Sequence, residues 1–356
     1  MLTRDLRHSI ARAVAAAGFE AAADPGLRPT GIPGQYSASV ALALGAPPRP
    51  MAAALAARLG EERWIATAEV TGPGYLTVTV TPAALAAVAD AVTAAGPACV
   101  TSDALAGVTV PAAPPGDPLA APTWEEARTA LAARLTASLA AAAGATVADL
   151  PATERKRPTL PAHPSSADPP ERPTAAVSFA GRDAVTFTLA RAIPGQPLRP
   201  DKEIMARRLP ANPAYAVRYA HARAASCVRW AVISRGGDSP YPPTVTSGDM
   251  GVPLRERTAP PSLPADPGEL ALLDALSWLP ERVATAARRA RPDEFARYLE
   301  DLASVTVDVL SSARDPGSGP VGNGAPGTDK LGLARAARAG LAAGLGLLGV
   351  DAPDRL

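Results

Sequence analysis

Aromatic side chains are scarce, 14 among 356 residues. The core must rely on Ala, Leu and Val, each of which removes little area from water, so stability per residue is modest. Histidine occurs three times, at His8, His163 and His221, and no two stand at catalytic or ligand spacing. Cys99 and Cys227 lie far apart without His or Cys neighbours. A zinc site and a disulfide framework are therefore not expected, and a reducing cytoplasm fits. Lys156 is the only lysine before Lys202, and no Walker-type Gly-rich loop occurs, so no metal and no cofactor are expected. No uncharged apolar run reaches the roughly 18 residues of a membrane span. The start, Met1 to Asp5, lacks the apolar stretch of a signal peptide. Excess charge of one sign is also missing: 35 basic and 34 acidic groups leave a net +1. That excludes a uniformly basic nucleic-acid coat protein but not a local basic face.

Proline is abundant, at 40 residues, and charge is unevenly spread. Residues 176–262 carry 12 basic and 6 acidic groups, so electrostatics would place a polyanion there. Residues 1–110 read as an α+β domain: a helix over 2–17, Ala-rich helices over 37–44 and 51–59, strands over 64–70 and 75–80 around Gly72-Pro73-Gly74, and a helix opened by Pro82. Residues 111–175 form a Pro-rich linker with one helix, 124–143, capped by Thr123 and carrying Glu125 and Glu126 in its first turn. Its stretch 151–173 reads as flexible and 235–266 as a loop, and the Gly-rich run 316–328 reads as a disordered loop. Residues 176–356 read as an all-α domain, with helices over 181–192, 201–209, 213–234, 269–289, 293–313 and 331–348. The chain is mainly α overall.

Three stretches carry a family resemblance. Gly34-Gln35-Tyr36-Ser37-Ala38-Ser39-Val40-Ala41-Leu42, followed by Val70-Thr71-Gly72-Pro73-Gly74-Tyr75-Leu76, resembles the N-terminal additional domain of arginyl-tRNA synthetases. Asn212-Pro213-Ala214-Tyr215-Ala216-Val217-Arg218-Tyr219-Ala220-His221-Ala222-Arg223 is similar to the Asn-Pro-x-Tyr-Tyr-Val-Gln-Tyr-Ala-His-Ala-Arg pattern of that family's helical, DALR-type anticodon-binding domain. Arg297 to Leu302, with the ending Leu347 to Leu356, looks like the family's last helices and its Gly-Val-x-Ala-Pro-Glu-Arg-Met terminus. The resemblance covers about residues 1–100 and 181–356.

The resemblance also implies a Rossmann-type catalytic domain between these parts, with a His-x-Gly-His motif on the adenylate phosphates. Such a sheet needs several βα units of about 30 residues each. Residues 111–175 are too few for it. Pro118-Leu119-Ala120-Ala121-Pro122-Thr123 aligns as the worn remains of Pro-Leu-His-x-Gly-His, with Ala120 and Thr123 at the histidine positions. No catalytic residue is assigned.

Tyr215 and Tyr219, four apart on a helix, share a face and read either as a base-stacking platform or as bundle core. Arg218, Arg223 and Arg229, with Arg207, Arg208 and Arg235, read as a phosphate-tracking stripe or as a solvated helix face. His221 reads as a buried, hydrogen-bonded core histidine. The resemblance places Gln35 and Tyr36 at a loop-to-helix entry that grips the tRNA elbow, against ordinary capping and packing. It places Arg355 near an anticodon loop, against simple helix termination. Asp293, Glu294, Glu300, Asp301 and Asp308 read as a solvated acidic face. The function expected is that of a pseudoenzyme: non-catalytic binding of tRNA, with tRNA-Arg as first candidate. The alternatives are a protein-interaction or regulatory module on the same scaffold, and arginine–tRNA ligase activity with another subunit.

Overall fold

The computed structural model describes residues 2–20, 24–149, 172–198, 200–235, 266–311 and 330–356. Most of the expected flexible stretch 151–173, and the loops 235–266 and 316–328, lie outside them.

The first helix, α1 (Leu2–Ala16), buries Leu2, Leu6, Ile10 and Val14 on one face, the three-to-four spacing of an amphipathic helix. A four-stranded antiparallel sheet follows, with β1 (Arg28–Pro29), β2 (Gln35–Ala38), β3 (Ile65–Thr71) and β4 (Tyr75–Val80) in the order β1-β2-β4-β3. Leu76, Val78 and Val80 point inward while Thr77 and Thr79 are half-buried on the other face, as the period of two requires. The β3–β4 turn needs glycine: Gly74 has φ 142°, and a Cβ there would meet Pro48 at 2.7 Å.

The Ala-rich stretch 37–44, expected to be helical, begins instead as the end of β2. Tyr36 pairs with Val78 and Ser37 with Thr77, and only Val40–Ala43 forms a short helix, α2. Strand pairing with β4 and burial of Tyr36 and Ala38 override alanine's helix propensity. Helix α3 (Pro48–Leu59) covers the sheet, and α4 (Pro82–Ala86) is capped by Thr81, whose Oγ1 accepts from Ala84 N at 3.2 Å. Then come α5 (Val88–Ala95) and a 3-10 turn, Gly96–Val100. Pro82–Val100 is long and apolar enough to meet the length and composition of a membrane span. Here it is broken into these three pieces and packs against the carboxy-terminal helices.

Between residues 109 and 149 stands one βαβ crossover: β5 (Thr109–Pro111), α6 (Trp124–Ala142) and β6 (Thr146–Ala148), with the two strands parallel. The helix was legible; three-residue strands are too short to show a period.

The remaining elements are helical: α7 (Pro173–Ala180), α8 (Arg182–Ala190), α9 (Lys202–Ala206), α10 (Pro213–Arg235), α11 (Pro267–Ser277), α12 (Leu279–Arg288), α13 (Pro292–Ser311) and α14 (Lys330–Leu347). The single helix expected over 269–289 is two, split at Trp278, with Pro280 in the first turn of α12 where its missing N–H costs nothing. α14 lies tight against α13, and a Cβ on Gly344 would come 2.5 Å from Leu299 Cδ2.

The amino-terminal elements and the helical bundle share one apolar core. Tyr36 packs its ring 5.4 Å from that of Trp278. Thr3 Oγ1 donates to the Ser277 carbonyl at 2.6 Å, and the Gly34 amide donates to Asp274 Oδ1 at 3.0 Å. Arg7 on α1 and Glu281 on α12 form an ion pair in the same seam.

Candidate nucleic-acid interface

Asn212 sets the start of α10. Its Oδ1 accepts from the amides of Ala214 and Tyr215 at 3.1 and 3.4 Å, and its Nδ2 donates to the carbonyls of Met205 and Arg207 at 2.7 and 3.0 Å. This caps the helix and ties it to α9. From there Ala214, Val217, Ala220, Ala224 and Ala225 turn into the bundle.

The opposite side carries aromatics. The rings of Tyr215 and Tyr219 are stacked, 5.9 Å apart and 20° from parallel. Tyr219 is 39% exposed and Trp230 65% exposed. Trp230 follows Tyr219 by eleven residues, three helical turns, so the three rings share one side of α10. Sequence reasoning missed Trp230, although its eleven-residue, three-turn offset from Tyr219 places it on the same side of the helix.

The arginines are not a free stripe. Arg218 pairs with Asp183 of α8 at 3.3 Å. Arg223 donates to the Leu310 carbonyl at 3.3 Å, and Arg229 to the Asp354 carbonyl at 2.8 Å. Arg218 and Arg229 do lie on one side of the helix, but that side faces α8 and the chain's last residues. Those residues are held further by Arg338, which grips the Asp354 carboxylate through Nε and Nη2 at 3.1 and 2.9 Å. His221 is buried, as expected, with Nδ1 3.0 Å from the Pro353 carbonyl, and burial pushes its pKa down. Arg207, Arg208 and Arg355 are exposed. The side chain of Arg235 lies outside the described residues.

Gln35 and Tyr36 are not at a helix entry. They lie in β2, paired with Thr79 and Val78 of β4; the Gln35 amide donates to the Ile32 carbonyl at 3.0 Å, and Gln35 Nε2 donates to Thr79 Oγ1 at 3.3 Å. Tyr36 is wholly buried, its hydroxyl 3.1 Å from Ser277 Oγ. No RNA can touch it in this fold. The acidic face is solvated only in part: Asp301 and Asp308 are exposed as expected, but Asp293 is buried and bound to Arg291 by two bonds of 2.7 Å, while Glu294 and Glu300 pair with Arg289 and Arg191. Among the described residues no cluster of His, Cys, Asp or Glu suits a metal ion.

In the βαβ unit, Pro118 to Thr123 fills the connection between β5 and α6. Thr123 Oγ1 caps Glu126 N at 3.2 Å, and Arg182 binds Asp117 at 2.6 and 2.9 Å across the loop.

Residues 217–356 match the DALR anticodon binding domain family. The chain is 34% identical over 185 residues to the arginine–tRNA ligase of Frankia alni, covering 51% of this chain and 30% of that protein. It is 35% identical over 181 residues to the arginine–tRNA ligase of Kineococcus radiotolerans, covering 51% and 29%. The matched stretch is thus less than a third of those relatives' length. The fold is similar to that of the Thermus thermophilus arginyl-tRNA synthetase, with TM-score 0.65 and 15% identity over 100% of each chain. The chain is mainly α, is similar to arginine–tRNA ligases over about half its length, and matches the DALR anticodon binding domain family over residues 217–356.

Proposed function

We propose that this chain is a non-catalytic, cytoplasmic tRNA-binding protein, with tRNA-Arg the first species to test. One observation carries it: α10, at the start of the DALR match, presents stacked Tyr215 and Tyr219 and exposed Trp230 on one side. Aromatic faces of this kind stack bases at about 1–3 kcal/mol each. Support for the non-catalytic part is chemical. The strand-to-helix connection where relatives' histidines would meet phosphate holds Ala120 and Thr123. Glu125 and Glu126 occupy the first turn of α6, and their charge opposes an anion at that helix end.

A second reading, a protein-interaction module, is favoured by the internal engagement of Arg218, Arg223 and Arg229. Filter binding of total tRNA at two salt concentrations separates the two. Tyr219→Ala and Trp230→Ala should each weaken binding by about 1–3 kcal/mol with little change in salt slope. Thermal melts of each variant, run alongside, separate lost binding from lost fold, since Tyr219 also stacks on Tyr215. Absence of salt-dependent binding up to about 100 micromolar protein sinks the RNA reading. Pull-down from ribonuclease-treated lysate then becomes the deciding measurement. Arginine-dependent pyrophosphate exchange with ATP should stay at the no-enzyme level, with or without tRNA. Exchange clearly above that level would restore the ligase reading.

A further inference from the structure

The residues after α14 form an irregular strap lying along α10. Its apolar anchor ends at buried Val350, with half-buried Ala352 packed beside the core. Beyond that the hold is polar. The Asp351 amide donates to Asp183 Oδ1 at 3.4 Å, the carboxylate that also pairs with Arg218. The Pro353 carbonyl meets His221, the Asp354 carbonyl takes Arg229, and the Asp354 carboxylate fills the guanidinium fork of Arg338. A carboxylate and a phosphate present the same paired oxygens to such a fork. The Arg338–Asp354 pair is close to half exposed on both sides, and exposed pairs of this kind hold weakly.

We propose that the strap 351–354 is an internal competitor: it occupies Arg229 with the Asp354 carbonyl and Arg338 with the Asp354 carboxylate, and a nucleic-acid backbone displaces it to reach them. The proposal deepens the RNA reading and rests on it for the identity of the partner. It explains why Arg229, on a helix with exposed stacking rings, is engaged inside the molecule. The strap and the rings lie along one helix, so a strand stacked on Tyr219 and Trp230 runs beside these guanidinium groups.

The test uses the full chain, with two probes: heparin as a sequence-free polyanion, and total tRNA. Asp354→Asn keeps the side-chain shape and removes the competing charge. Glu61→Gln, an exposed position at the end of α3, makes the same charge change away from the strap. Asp354→Asn should elute from heparin at higher salt than both wild type and Glu61→Gln. It should bind tRNA about three- to tenfold tighter at about 50 mM salt, with a slope steeper by about one. Heparin should also raise hydrogen exchange across 350–356 in the wild type, which a merely structural tail would not show. Equal elution of the two variants, or unchanged exchange, overturns the strap. Tight tRNA binding that Asp354→Asn leaves unchanged or weakens also overturns it, and the RNA reading survives. A heparin difference without any tRNA binding keeps the strap and overturns the RNA reading.

Discussion

Glu281→Ala lowers the unfolding free energy by about 3–5 kcal/mol, the cost of breaking a buried ion pair from one side. The side chains of Arg7 and Glu281 are only 8% and 6% exposed. Removing the carboxylate leaves the Arg7 guanidinium buried without this counter-charge and takes one of two carboxylates from Arg288, whose Nη2 lies 3.4 Å from Glu281 Oε1 and whose Nη1 pairs with Asp24. Converting both partners, Arg7→Met with Glu281→Leu, should recover much of the loss, because apolar replacement of a buried pair is often neutral. Urea titration of the four proteins at one pH gives the cycle. A loss below about 1 kcal/mol for Glu281→Ala would put the pair in the class of exposed salt bridges and refute its burial. The pair joins α1 to α12, so the destabilisation should appear in a single transition reported alike by both ends of the chain.

Tyr36→Ala costs a similar amount, about 3–5 kcal/mol, the range for deleting a fully buried aromatic ring. The ring sits against Trp278, and its hydroxyl reaches Ser277. Tyr36→Phe keeps the ring and loses one hydrogen bond, a cost of about 1 kcal/mol. Thermal and urea unfolding measure both. The two substitutions also decide between a packing and an RNA role. An RNA-contacting tyrosine would lose affinity on replacement while the unfolding midpoint stayed put. Here the midpoint should fall, and Tyr36→Phe should bind tRNA as the wild type does.

Much of the helical framework was legible because its punctuation is local. Thr123 followed by Trp124, Glu125 and Glu126 announces α6, and Asn212-Pro213 announces α10. The β3–β4 hairpin announces itself through alternation and Gly72-Pro73-Gly74. β2 was hidden because four residues, two of them Ser37 and Ala38, hold no period long enough to outweigh alanine's bias. The burial of Tyr36 depends on Trp278, 242 residues further on, and local pattern carries no trace of that. The same holds for the arginines of α10. Their charge and spacing are written in the sequence, but Asp354, the partner of Arg229, lies 125 residues away. That Trp230 shares a side of α10 with Tyr219 was legible from their three-turn offset, whereas its exposure was not.

The seam between α1, β2 and the pair α11–α12 bears on how the chain is made. Thr3 waits for Ser277, 274 residues later, before its hydrogen bond can form. At translation rates of roughly 5–20 residues per second, that delay is on the order of ten to fifty seconds. Until then Tyr36 lacks the Trp278 ring against it, and Arg7 lacks the Glu281 carboxylate. Native docking of the amino-terminal elements therefore has to await synthesis of α11 and α12. Nascent chains that stall between residues 110 and 270 should present the Tyr36 side of this seam to chaperones.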